Sequence, residues 1–373
     1  MNENEQKFQI ALTLLKGIGF EEAKKILSID TLSAFFSSTK MDLVHRYGIQ
    51  PTVASALYEE FSTALKVADK EYEHCLKNNI KSLFFTDDDY PYRLLECYDA
   101  PLLLYTKSNT SFNQGKFISI VGTRNATYYG KQQCQQLVYD LANQLQNIII
   151  ISGLAYGIDI TAHKAALEMN IPTIAVLAGG LHRIYPAVHR PTADKMLNNG
   201  AIITEQPYQT PSEKRYFLQR NRIIAGMSDA VVVAESAAKG GALVTASIAT
   251  TYNKDVFVFP GRVNDAASAG CNALIKHHKA TLIENAEDLC YFMGWNTATK
   301  KKKEQKQTYP DGIDRLNPQE KSIIQFILQE ENVSIDKLSY LTNIRIEDLL
   351  PILLMLEFQN YVVCLPGNRY QIK

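Results

Sequence analysis

The chain has 373 residues, too many for one ordinary hydrophobic core, and its 46% apolar and 21% charged residues exclude a disordered or fibrous protein. Lysine plus arginine and aspartate plus glutamate balance at 39 each, so no global positive field draws the chain to a polyanion, and any such site must be a local patch. The polar start MNENEQKFQI lacks an apolar signal segment and no run reaches the ~18 apolar residues of a membrane span, which points to a cytoplasmic protein without membrane contact.

Residues 8 to 65 are helical in pattern. Within them, Gly17 and Gly19 flank an isoleucine between two apolar-periodic stretches, the spacing of a SAM-like or helix-hairpin-helix-like domain. Such a turn serves either a phosphate or simple helix packing. Residues 70 to 115 read as loops and short strands. From Lys116 onward six β-branched runs alternate with helical segments: 118–121, 148–151, 173–177, 201–204, 230–234 and 256–259. That alternation predicts an α/β, Rossmann-like, doubly wound and mostly parallel sheet. The lysine-rich stretch NTATKKKKEQKQTYPDG reads as a solvated linker. Three amphipathic segments and a hairpin turning at Pro366-Gly367-Asn368 then outline a winged helix. Its third helix carries Glu347, Asp348 and Glu357 against Arg345, which favours protein contact or packing over groove reading. The expected division is a helical domain at 1–68, an extended Rossmann-like domain at 69–295, a linker at 296–315 and a winged helix at 316–373.

Six cysteines are scattered singly, with no C-x-x-C pair, and read as buried, reduced thiols; no metal site is expected. The turn ISIVGTRNAT opens like a dinucleotide site but departs from G-x-G-x-x-G: Gly122 keeps the first place, Arg124 takes the second and Thr127 the third. A side chain stands where a pyrophosphate would sit, and the ribose-binding acid about 20 residues on is missing. No cofactor is expected. Arginine beside a helix N-terminus nevertheless suits a phosphate.

Further candidates fall at the other strand ends. Ser152, Gly153 and Gly157 supply small turns, with Asp159 as a helix cap and His163 facing either the rim or the sheet. The segment SEKRYFLQRNRIIAG interleaves Lys214, Arg215, Arg220 and Arg222 with Tyr216, Phe217 and Asn221, cations for a strand's backbone and flat faces for its bases. Gly240 and Gly241 open another helix, and Gly261, Arg262, Gly270 and Asn272 close the set. Together they predict one long rim rather than a small pocket.

The segments SIVGTRNATYYG, ISGLAYGIDITAHKAAL, TIAVLAGGLHRIYP, GAIITEQP, FLQRNRIIAGMSDAVVVAES, GGALVTASIA and VFVFPGRVNDAASAGCNALI resemble, in order and spacing, the DprA (Smf) family of DNA-processing proteins. The resemblance covers roughly residues 85 to 290. It implies a single-stranded-DNA-binding protein of natural transformation and recombination that shields incoming strands, helps load the RecA recombinase and works as a homodimer without being an enzyme. It places the strand-binding arginine at Arg124 and the F-x-x-R-N-R segment at Phe217, Arg220, Asn221 and Arg222, with Phe217 stacking on a base. The rival reading is a Rossmann-like nucleotide phosphoribohydrolase. Its signature needs a glutamate three residues after the threonine, where this chain has Ile248 after Thr245.

Overall fold

Each of the six β-branched runs is a strand in the computed structural model, which describes residues 3–295, 316–330, 333–365 and 369–372. The chain divides into two units, Met1–Ala298 and Thr299–Lys373.

The first unit opens with five helices: α1 (Glu3–Leu14), α2 (Phe20–Ile29), α3 (Leu32–Phe36), α4 (Lys40–His45) and α5 (Pro51–Lys77). The rings of Phe35, Phe36, Tyr47 and Phe61 pack against one another at their centre. Helix α5 starts with proline at its first position, where the missing N–H costs nothing. It buries Ala54, Leu57, Phe61, Ala64, Ala68, Glu71 and Cys75, an unbroken three–four spacing that runs straight through the boundary expected at residue 68. Glu71 is the charge in that stripe. Burial raises its carboxyl above the ordinary range, and it accepts the N–H of Tyr208 from a loop far along the chain. The Gly17–Gly19 corner has its own acid: Glu22 accepts the amide of Gly19 at 3.1 Å, and Glu21 stands beside it. At this corner the Glu22 carboxylate already takes the amide a phosphate would use, which fits packing, while Glu21 pairs with Lys24.

Strand β1 (Lys81–Phe84), the short α6 (Tyr92–Leu95) and β2 (Leu103–Ser108) precede the expected core. There follow β3 (Lys116–Gly122), α7 (Tyr128–Gln144), β4 (Ile148–Ser152), α8 (Ile158–Glu168), β5 (Thr173–Val176), α9 (Arg190–Met196), β6 (Ala201–Thr204), α10 (Lys214–Gly226), β7 (Ala230–Glu235), α11 (Gly241–Thr251), β8 (Asp255–Val258), α12 (Ala269–Lys276), β9 (Thr281–Leu282) and α13 (Ala286–Phe292). The sheet runs β1-β2-β6-β5-β4-β3-β7-β8-β9. Strands β6 through β9 in that row are parallel, and β1 and β2 extend the β6 side antiparallel.

Strand alternation splits the core in two. Ile118, Ile120, Ile148 and Ile150 face Leu137, Val138 and Leu141 of α7 and Ala162, Ala165 and Ala166 of α8. Phe117, Val121, Ile149 and Ile151 face the other way, in one apolar cluster with α10, α11 and the five N-terminal helices. Connections leave β3 toward β4 on one side and β7 toward β8 on the other. The winding therefore reverses between β3 and β7, the place where ligands bind in open α/β sheets.

The second unit holds α14 (Pro318–Glu330), β10 (Val333–Ser334), α15 (Ile335–Thr342), α16 (Ile346–Phe358), β11 (Val362–Leu365) and β12 (Arg369–Ile372). Its strands form an antiparallel sheet in the order β10-β12-β11, over a core that includes Ile323, Ile327, Leu338, Leu349, Leu353 and Leu356. Arg345 pairs with Glu347 and Asp348 at the start of α16. The linker at 296–315 and the turn at 366–368 lie outside the described residues.

Among the described residues no cysteine forms a disulfide, no acid, cysteine or histidine cluster suits a metal, and no helix is long and apolar enough to cross a membrane. Five cysteines are buried as expected, while Cys364 is exposed. His163 turns to the sheet: its Nδ1 lies 2.7 Å from the Thr173 hydroxyl, which donates to the Ile150 carbonyl at 3.0 Å. Burial, with Arg220 and His189 nearby, pushes the imidazole down to about 3. An unfolded histidine binds a proton near pH 6.5, so between about 6.5 and 3 the unfolded chain holds the extra proton and acid favours unfolding. Urea denaturation should show this residue removing about 2 kcal/mol between pH 6.5 and 5, a loss that His163→Gln lacks.

Candidate nucleic-acid interface

At the winding reversal the carboxyl ends of β3 and β7 open a cleft of about 560 Å3, lined from β3, α10 and the start of α11. Its floor is set by Glu235 at the end of β7. The Glu235 carboxylate accepts the Thr127 amide at 2.8 Å and the Thr127 hydroxyl at 2.6 Å, and its carbonyl accepts the Thr123 amide at 2.8 Å. Thr127 in turn caps α7, its oxygen accepting the Gly130 amide. The turn Thr123–Thr127 is thus stapled across the reversal, and Arg124 at its tip is exposed. The carboxylate one would suspect of chemistry is a cap.

Helix α10 forms the opposite wall. Lys214, Phe217, Leu218, Asn221 and Ile224 follow its three–four spacing and face the cleft together. The Arg124 guanidinium lies over the Phe217 ring at 5.1 Å from its centroid, Arg220 stands 5.9 Å from the same ring, and Tyr185 meets it edge-on at 5.7 Å. Asn221 donates to the Gly241 carbonyl at 3.4 Å, tying α10 to α11, whose exposed Gly240 and Gly241 form the third side with Lys239. Arg124, Lys214 and Lys239 are exposed, and among the described residues none has a carboxylate within ion-pair distance.

Arg220 also lines the cleft, but neither it nor Arg222 is an exposed cation. Successive helical residues turn about 100°, so positions 220 and 222 point nearly opposite ways. Arg220 is buried and donates to the carbonyls of Gly153, at 2.7 Å, and of Val176, at the ends of β4 and β5. Burial lowers its guanidinium to about 10, opposed by the attraction of Asp159. Arg222 lies on the far face and donates to the Asp99 carbonyl and the Glu205 carboxylate. Both expected phosphate grips are internal ties.

The glycine-rich wall is equally committed. Asp159, the carboxylate among the cleft's lining residues, is raised by burial and lowered again by Arg220 and by the amides of Gly153 and Ala155, which it accepts at 3.2 and 3.3 Å. Ser152 is buried and donates to the Ile120 carbonyl at 2.6 Å. Gly157 has φ +76°, and a Cβ there would meet the Thr123 oxygen at 2.2 Å. Ser152, Gly153 and Gly157 therefore shape the wall from behind, whereas Gly122 lines it directly. Of the outlying candidates, Arg215 pairs with Glu213, and Asn272 both accepts from the Gly261 amide and donates to the Gly261 carbonyl. Reasoning from sequence missed Lys239 and Tyr185. Tyr185 sits inside a quoted motif, before Pro186, and Lys239 immediately precedes another, beside Gly240, and a search for cations and rings at strand ends would have found them.

Residues 81–294, more than half of the chain and all of this cleft, match the family model described as DNA recombination-mediator protein A. The chain belongs to that family. A relative from Bacillus subtilis named DNA processing protein DprA is 37% identical over 214 residues, 57% of this chain and 71% of the relative. The X-ray structure of DNA processing protein A from Streptococcus pneumoniae aligns with a TM-score of 0.64 at 30% identity, over 76% of this chain and 97% of that one. A Helicobacter pylori DNA processing protein A, whose structure was described for its single-stranded-DNA binding mode, aligns at 0.52 with 29% identity, over 58% and 97%.

A Cβ on Gly153 would lie 2.1 Å from the Arg220 guanidinium. Gly153→Ala should therefore expel that group from its carbonyl acceptors and lower stability by about 1–3 kcal/mol, read as a drop in the thermal midpoint.

Proposed function

We propose that this chain binds single-stranded DNA along the cleft at the β3–β7 reversal. The observation that carries the reading is the Phe217 ring, with the Arg124 and Arg220 guanidinia near it, Tyr185 at its edge, and exposed Lys214 and Lys239 around it without an ion-pair partner among the described residues. An aromatic platform among free cations gives a base something to stack on and its phosphates something to meet, with little dependence on sequence. Membership of a recombination-mediator family and likeness to a Helicobacter pylori protein described by its single-strand binding support the same reading. Arg124, Lys214 and Lys239 then hold phosphates and Phe217 stacks, while Gly122, Gly240 and Gly241 keep the walls low. Arg220, Arg222, Asn221, Ser152, Gly153 and Gly157 hold those groups in place.

On this reading the protein acts as a cytoplasmic homodimer in transformation and recombination, protecting incoming strands and assisting RecA loading, by binding rather than catalysis. The division into a helical domain, a Rossmann-like domain, a linker and a winged helix goes with it. The three helices and antiparallel sheet of the second unit support the last of these. A phosphoribohydrolase would need a carboxylate free in the cleft, and both nearby acids, Asp159 and Glu235, are bound to backbone or hydroxyl groups.

Fluorescence anisotropy with labelled oligonucleotides tests the site. Single strands should bind more tightly than duplex, with log K falling against log salt by about 0.7 for each neutralised phosphate. Arg124→Ala should weaken binding and flatten that slope by about 0.7. Phe217→Ala should weaken binding by about 1–3 kcal/mol with the slope unchanged. Unchanged affinity and slope in both variants would refute the assignment. Incubation with AMP should leave the base attached, and release of free adenine would revive the hydrolase.

A further inference from the structure

A second cleft of about 580 Å3 adjoins the first, and Arg124 lines both. It lies between the early turns of α7 and α8. Lys131 comes from the first and Lys164 from the second, with Tyr156 at the entrance to α8. Both lysines are exposed, and among the described residues neither has a carboxylate within ion-pair distance. Surface helices can answer such charges with an acid one turn away. Glu168 does stand one turn beyond Lys164 on α8, but its carboxylate accepts the Tyr139 hydroxyl instead of pairing with the lysine. Tyr156 is 50% exposed, and its ring is propped edge-on by His189 at 5.0 Å, itself anchored through Nδ1 to the Leu154 carbonyl at 2.7 Å. The second cleft thus repeats the chemistry of the first: an aromatic face among unpaired cations, with Gln135 and Thr161 as neutral polar wall.

We propose that a bound single strand passes Arg124 and continues across α7 and α8, with Tyr156 as a second stacking platform and Lys131 and Lys164 as phosphate contacts. This rests on the single-strand reading and extends the site beyond the Phe217 cleft. The α8 face from Ile160 to Glu168 is about 12 Å long at 1.5 Å per residue, room for about three further nucleotides at a duplex-like 3.4 Å each. Arg124 is then the pivot between two short segments.

Oligonucleotide length separates the two claims. Oligo-dT of 6 and of 20 nucleotides is titrated against the full chain, its Lys131→Ala/Lys164→Ala variant and its Tyr156→Ala variant, at several salt concentrations. The 20-mer should lose about tenfold in affinity in each variant, and the double lysine variant should flatten its salt slope by about 1.4. The 6-mer, filling the Phe217 cleft, should be unaffected, and Lys131→Arg/Lys164→Arg should bind the 20-mer as the unaltered chain does. Unchanged 20-mer binding in both variants, or equal losses for the two lengths, overturns the extended path while leaving the Phe217 site standing. Failure of the unaltered chain to bind either oligonucleotide overturns the single-strand reading itself and the extension with it.

Discussion

The buried guanidinium of Arg220 organises the rim. It closes two strand ends at once by donating to the carbonyls of Gly153 and Val176, and it draws the carboxylate of Asp159, which gathers the amides of Gly153 and Ala155. A buried charge is tolerable only when it is paired or hydrogen-bonded, and here one guanidinium nitrogen makes both carbonyl bonds while Nε is left without a partner. One helical turn earlier on α10 is Phe217, so fixing Arg220 also fixes the height and tilt of that ring. The cleft is preorganised by a charge that is itself almost wholly buried.

That arrangement explains why the sequence was easier to read for fold than for roles. Six strands were legible because β-branched runs bounded by glycine-rich turns have few alternatives in a sheet covered on both faces. β1 and β2 were legible only as unplaced short strands amid loops, since two short apolar runs carry no period to bound them. The boundary expected at residue 68 failed to anticipate α5, whose buried spacing continues to Cys75 through an acid that looked like a surface residue. The segment RNR read as a basic patch because composition ignores direction. Two residues apart on a helix, its arginines face opposite ways, one into the sheet and one to Glu205. Arg124 was legible as an exposed cation because it stands at the tip of a surface turn.

The acids tell a parallel story. A chain with equal numbers of positive and negative side chains leaves a few cations without a partner only by placing its acids elsewhere. Here the carboxylates nearest the cleft are turned inward, Glu235 onto Thr127 and Asp159 onto backbone amides. The local field is thus made by subtraction, and with a Debye length of about 8 Å at physiological salt it reaches little beyond the rim.

The tie between Glu71 and Tyr208 joins the N-terminal helices to the segment that runs from β6 into α10. Tyr208 also donates through its hydroxyl to Asn78, just past the end of α5. A chain begun at residue 69 would keep Glu71 on only about two and a half turns of helix, below the length that holds its shape alone. The N-terminal helices are consequently not a detachable attachment. They buttress the loop that leads into the Phe217 helix, and exchanging them between relatives would mean exchanging that loop as well.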